Sequence, residues 1–114
     1  GIEVMEITVG KCSLACKVTE SMLNGFDIAH GGISYSLSDS ALAFAANSHG
    51  FKCVSIETSI SHTRPAKLYD ILTARCSELH RGRTTGIYQV LVTDQNNKTV
   101  ALFKGTVKIM DEMW

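Results

Sequence analysis

A chain of 114 residues with 45% hydrophobic and 19% charged side chains has the size and balance of one folded domain, which excludes a disordered segment. Eleven basic residues against eleven acidic ones leave zero formal charge, so nothing electrostatic favours nucleic acid or an anionic membrane as partner. No run approaches the roughly 20 apolar residues of a membrane span, and residues 1–20 lack an apolar stretch behind a basic start, so neither a membrane span nor a signal peptide is expected.

In chain order, residues 2–9 and 11–19 read as two strands. Ile7 and Val9 flank Thr8, and Cys12, Leu14, Cys16 and Val18 alternate with polar or small residues. Gly10-Lys11 between them predicts a hairpin turn. Residues 20–31 have no clean period and contain Asn24-Gly25, so a loop is expected there. Residues 32–48 predict the one long helix. They contain no proline, and they lie between Gly31-Gly32 and His49-Gly50. Ile33, Leu37, Ala41, Phe44 and Ala45 form an apolar stripe, while the opposite face carries Tyr35, Leu42, Ala43 and Ala46. A helix apolar on most sides is expected to be buried on most sides.

After Gly50 the period changes to two. Val54, Ile56, Thr58, Ile60 and His62 alternate with Cys53, Ser55, Glu57, Ser59 and Ser61. Residues 69–80, 84–94 and 98–109 are further strand candidates, and the short breaks between strands predict antiparallel pairing. The expected architecture is α+β: a curved antiparallel sheet wrapped around one long central helix, with residues 1–114 as a single domain. Of the four cysteines, none forms a C-x-x-C pair. Cys12 and Cys16 stand about 13 Å apart along a strand, too far for a disulfide. All four are expected to be reduced, as small hydrophobes of a cytoplasmic protein.

Asp39 is the most informative residue, because a carboxylate in the middle of an apolar helix is costly unless paired, or solvated by a pocket or open water. Its helical neighbours Tyr35, Ser36, Leu42 and Ala43 form a mixed surface able to line a pocket. His30-Gly31-Gly32 opens the helix, where unpaired N–H groups and a partial positive charge suit a developing oxyanion. The same glycines also fit a plain tight turn. Gly31 and Asp39 are eight residues apart, about 12 Å along a helix. A short carboxylate cannot span that offset on its own helix. If both act on one carbonyl, they come from two antiparallel helices, most simply those of a two-fold dimer.

Asn24 either donates its amide to a substrate or water, or sits in an Asn-Gly turn. His30 either shuttles a proton or positions the loop, and the positioning role is expected. His49, His62 and His80 show no ligand spacing, so neither metal nor cofactor is expected. Arg64, Lys67, Arg81, Arg83 and Lys104 are candidates for holding phosphates.

Four segments carry a family likeness: L-N-G-x4-H-G-G at 23–32, L-S-D-S-A-L-A-F-A-A-N-S-H-G at 37–50, R-P-A at 64–66 and V-A-L-F-K-G-T at 100–106. Together, and in this order, they resemble the phenylacetic-acid-degradation thioesterases of the hotdog superfamily (PaaI type), from about residue 4 to 109. The resemblance implies a hotdog fold and hydrolysis of phenylacetyl-CoA, hydroxyphenylacetyl-CoA and related aryl or medium-chain acyl-CoAs. It implies Asp39 as catalytic carboxylate, a Gly31 N–H acting across a dimer interface, and supporting roles for Asn24, His30 and Gly32. It matches Ser55 to a water-positioning hydroxyl, and Arg64-Pro65 to the turn approached by pantetheine and nucleotide. It implies a homodimer assembling into a homotetramer, and a leading helix that this chain is expected to lack. Ser61 and His62 stand where the family has bulky apolar residues. The expected function is therefore an acyl-CoA thioesterase. The alternatives are an acyl-CoA dehydratase or hydratase of the same fold, and a non-catalytic acyl-CoA binding module.

Overall fold

The computed structural model describes residues 1–25 and 31–114. Six strands and one long helix follow in the order β1 (Ile2–Thr8), β2 (Lys11–Lys17), α1 (Gly31–Asn47), β3 (Phe51–His62), β4 (Ile71–Arg81), β5 (Thr85–Thr93) and β6 (Thr99–Met113). The expected loop after β2 also holds a single 3-10 turn at Glu20–Met22. The first turn is made by Val9 and Gly10 rather than Gly10-Lys11. Gly10 adopts φ +76, a left-handed value that glycine reaches without a Cβ clash.

All strands pair antiparallel in one sheet of order β1-β2-β4-β5-β6-β3, so β1 and β3 are its edges. Alternate residues of β2, β4, β5 and β6 turn inward and meet the helix. The core between them includes Leu14, Leu72, Val90, Val92 and Phe103 from the sheet and Leu37, Ala41, Leu42 and Ala45 from α1. Cys12 lies directly opposite Cys76 in this core, and all four cysteines are free thiols.

The helix is not covered on most sides. Ser34, Leu37, Ser38, Ala41, Leu42, Ala45 and Ala46 are buried, whereas Tyr35, Ala43 and Phe44 remain exposed. One sheet can shield only the face turned towards it. The apolar residues on the other side stay exposed in the protomer.

β3 departs from simple alternation. Ser55 pairs with Val107 and Glu57 with Thr106, so Ile56 is an extra residue forming a β-bulge. Paired residues share a face of the sheet. Cys53 and Ser55, opposite Ile109 and Val107, therefore face the helix with Thr58, Ile60 and His62, opposite Gly105, Phe103 and Ala101. The expected division placed Ser55 and His62 on opposite faces. The bulge puts them on the same one.

Candidate active site

Helix α1 lies along β3 and runs against it. At its start, a side chain on Gly31 would begin 3.3 Å from His62 Nε2. One turn on, the hydroxyls of Tyr35 and Thr58 are 2.7 Å apart. Asp39 then shares a pocket of about 90 Å³ with Leu42, Asn47, Cys53, Ser55 and Val107. At the far end the Cys53 N–H donates to Asn47 Oδ1 at 2.9 Å.

Asp39 is half-buried at the edge of the covered face, between buried Ser38 and exposed Ala43. Among the described residues its carboxylate has neither a hydrogen-bond nor an ion-pair partner, and it opens onto the pocket that holds Ser55. An unpaired carboxylate beside a hydroxyl, in space enough for water, can accept a proton from that water. The bulge at Ile56 is what turns the Ser55 side chain towards it.

Beyond the C-terminal end of α1 lies a larger cavity of about 600 Å³, lined by His49, Phe51, Arg81, Arg83, Thr84 and Met110 among others. Arg83 is exposed there, free to meet an anion. Arg81 is committed to the fold. Its Nη1 donates to the Ala46 carbonyl at 2.9 Å and to the Tyr88 hydroxyl at 3.0 Å, which ties the helix end to the sheet. The Tyr88 hydroxyl donates in turn to Glu78 Oε1 at 2.7 Å, and His49 Nε2 stands 2.7 Å from the same oxygen. Burial pushes the Glu78 carboxyl up, but the hydrogen bonds from Tyr88 and His49 and the charges of His49 and Arg81 outweigh it and hold Glu78 below the ordinary carboxylate range. Burial and the bond to Glu78 push the Tyr88 phenol well up.

The other expected site residues are dispersed within the protomer. Arg64 and Pro65 occupy the exposed turn after β3, at the Gly31 end of the helix. Lys104 pairs with Ser59 on the sheet face turned away from α1, which separates it from Asp39. Lys67 is exposed in the β3–β4 connection, its N–H bonded to Asp70 Oδ2 at 2.8 Å. Asn24 is half-buried just ahead of residues 26–30, and Gly32 is half-buried in the first turn of α1. His30 lies outside the described residues. Among the described residues no three His, Cys, Asp or Glu side chains converge as a metal site requires.

Residues 26–101 match the thioesterase superfamily family model. The acyl-coenzyme A thioesterase PaaI of Escherichia coli (strain K12) is 40% identical over 105 residues, covering 92% of this chain and 75% of that protein. The structure of the E. coli PaaI protein from the phenylacetic acid degradation operon superposes with a TM-score of 0.96 at 37% identity, over 98% of this chain and 81% of that one. A hypothetical thioesterase protein of Streptococcus pneumoniae, solved with coenzyme A, gives a TM-score of 0.95 at 29% identity over 100% and 89% of the two chains. Alanine variants of that pneumococcal protein at a threonine and at an aspartate have the same fold, with TM-scores of 0.94 and 0.94. The chain belongs to the thioesterase superfamily of hotdog fold, and it is an acyl-CoA thioesterase of the PaaI type.

Proposed function

We propose that this thioesterase acts on aryl and medium-chain acyl-CoAs, phenylacetyl-CoA and its ring-hydroxylated forms among them, in sites shared between two copies of the chain. The observation that carries this reading is the separation of Asp39 from Gly31 along one helix, about 12 Å by rise per residue. The edge strand that parallels this helix offers the means of pairing. β3 is twelve residues long, contains no proline, and exposes Val54 and Ile56 along its edge. Such an edge recruits another strand.

Antiparallel pairing of β3 with its copy sets a testable register. Asp39 stands over Ser55 and Gly31 over His62, so Asp39 meets the second copy's Gly31 when Ser55 lies opposite the second copy's His62. With Ile56 bulged out of the count, the two-fold axis then passes through Ser59. The same register brings the second copy's Arg64 beside Cys53, next to the cavity that Arg83 lines. Two arginines from opposite ends of the protomer thus converge where the phosphates of CoA need cations. Pro65 shapes that approach, and two such dimers make the proposed tetramer.

In this site Asp39 takes a proton from a water held by Ser55. The water oxygen attacks the thioester carbonyl carbon, and the Gly31 N–H, supported by Gly32, stabilises the oxyanion. The carbon–sulfur bond breaks, and the CoA thiolate leaves and takes up a proton. Asn24 and His30 position substrate or water. Direct attack by the Asp39 carboxylate through a mixed anhydride is separated from this route by single turnover in ¹⁸O water, which labels Asp39 only in the anhydride route. The pneumococcal aspartate and threonine chosen for alanine replacement are sixteen positions apart, the spacing of Asp39 and Ser55.

The test is release of free thiol from a panel of aryl and straight-chain acyl-CoAs. Asp39→Asn should keep the fold and the dimer and lose about 10³-fold or more in kcat. Near-normal turnover of that variant, or full activity of a monomer, overturns the reading.

A further inference from the structure

His62 is an imidazole where its neighbours are apolar. On the helix-facing side of β3, Ile60 precedes it and buried Ala101 pairs with it. It is exposed, and neither ring nitrogen has a hydrogen-bond partner among the described residues. A histidine on an apolar face is ordinarily held by a protein partner, and this exposed ring is left open to water or to a bound group. Its Nε2 and Cε1 stand 3.3 and 3.5 Å from the point where a Gly31 side chain would begin, so it flanks the first turn of α1.

We propose that His62 is a catalytic residue that donates a second hydrogen bond to the thioester carbonyl, beside the Gly31 N–H. This rests on the reading that the Gly31 amide holds that oxygen. An acceptor about 3 Å from the Gly31 nitrogen lies within reach of a ring so close to the same residue. One backbone amide is a sparse cradle for a full negative charge, and a neighbouring ring N–H supplies what it lacks. Both the neutral ring, as its Nε2–H tautomer, and the imidazolium can donate. In the register derived above, His62 lies across from the second copy's Ser55. The carbonyl oxygen is then held by one protomer and the attacking water by the other. The closeness of the ring also gives Gly31 a reason to be glycine beyond the turn, because any side chain there displaces His62.

The experiment compares His62→Phe, which keeps a ring without a donor, with His62→Gln, which keeps a donor. His62 is exposed, so neither change empties the core. His62→Phe should lower kcat about 100-fold with KM little changed, and His62→Gln should recover part of that loss. A second readout uses the Asp39→Asn protein with an aryl acyl-CoA bound. Infrared difference spectra should show the thioester carbonyl stretch displaced to lower frequency, and adding His62→Phe should reverse part of that displacement. A His62→Phe enzyme with wild-type kcat, a change confined to KM, or an unaltered carbonyl stretch overturns the inference. If these results come with an inactive Asp39→Asn protein, the assignment of His62 alone is lost. If Asp39→Asn remains active, the underlying site reading falls with it.

Discussion

Gly105→Ala is the sharpest test of how the sheet carries the helix. Gly105 is buried on β6, opposite Thr58, directly beneath α1. A Cβ added there would lie 2.6 Å from Leu42 Cδ2 and 3.3 Å from Phe103 Cε1. Carbon atoms rest at roughly 3.5–4.0 Å, so the first contact is too close by about 1 Å. Leu42 and Phe103 are each 1% exposed, so neither can swing into solvent. Overpacking of this kind costs about 1–3 kcal/mol. For a domain of this size that lowers Tm by about 4–12 °C. Leu42 also lines the Asp39 pocket, so relief by rotamer change into that space narrows it and should lower turnover too. The assay is thermal unfolding followed by circular dichroism, with thiol release on the folded protein. Leu42→Val removes the offending methylene and should restore stability to Gly105→Ala with a coupling of about 1 kcal/mol. A Gly105→Ala protein with unchanged Tm and unchanged turnover would refute the reasoning.

Three further outcomes are expected. The folded Glu78 carboxyl titrates below its unfolded value, so its stabilisation is complete above the ordinary carboxylate range and is lost as pH falls through the folded value. Urea unfolding from roughly pH 6 down to pH 3 should therefore show a smaller decline for Glu78→Gln than for the parent chain. Placing lysine at both Val54 and Ile56 guards the β3 edge and should give a folded monomer without thioesterase activity, as read by sedimentation and thiol release. Burial, with Cys12 and Glu78 nearby, pushes the Cys76 thiol up to about 12, and burial raises Cys12 as well. A thiol reagent at about pH 8 should label half-buried Cys53 in the native protein and reach Cys12 and Cys76 only after denaturation.

Much of the fold is written locally. Alternation in β2 and the proline-free alanine stretch of α1 mark their elements because side-chain period and backbone geometry coincide there. The place of Asp39 on the helix is legible for the same reason, since a carboxylate on an apolar helix stands out. The bulge is not legible. Val54, Ile56, Thr58, Ile60 and His62 look like one unbroken strand face, and only the pairing with β6 reveals the extra residue. His62 was hidden with it. The Arg81–Tyr88–Glu78–His49 cluster was hidden too, because its members come from different elements and meet only after the sheet forms. The uncovered side of α1 misled in another way. Apolar composition tells how much surface seeks cover, but not whether the cover belongs to the same chain.

Because of the single supernumerary residue at Ile56, β3 is a strand in two phases, one ending at Ser55 and the other starting at Glu57. Deleting Ile56 would merge them. The Ser55 hydroxyl and the His62 ring would then stand six positions apart in one unbroken alternation and would still share the helix-facing side. Removing a residue between Glu57 and His62 while the bulge stays would instead turn one of the two to the far side of the sheet, so the spacing around the bulge is as tightly specified as the composition.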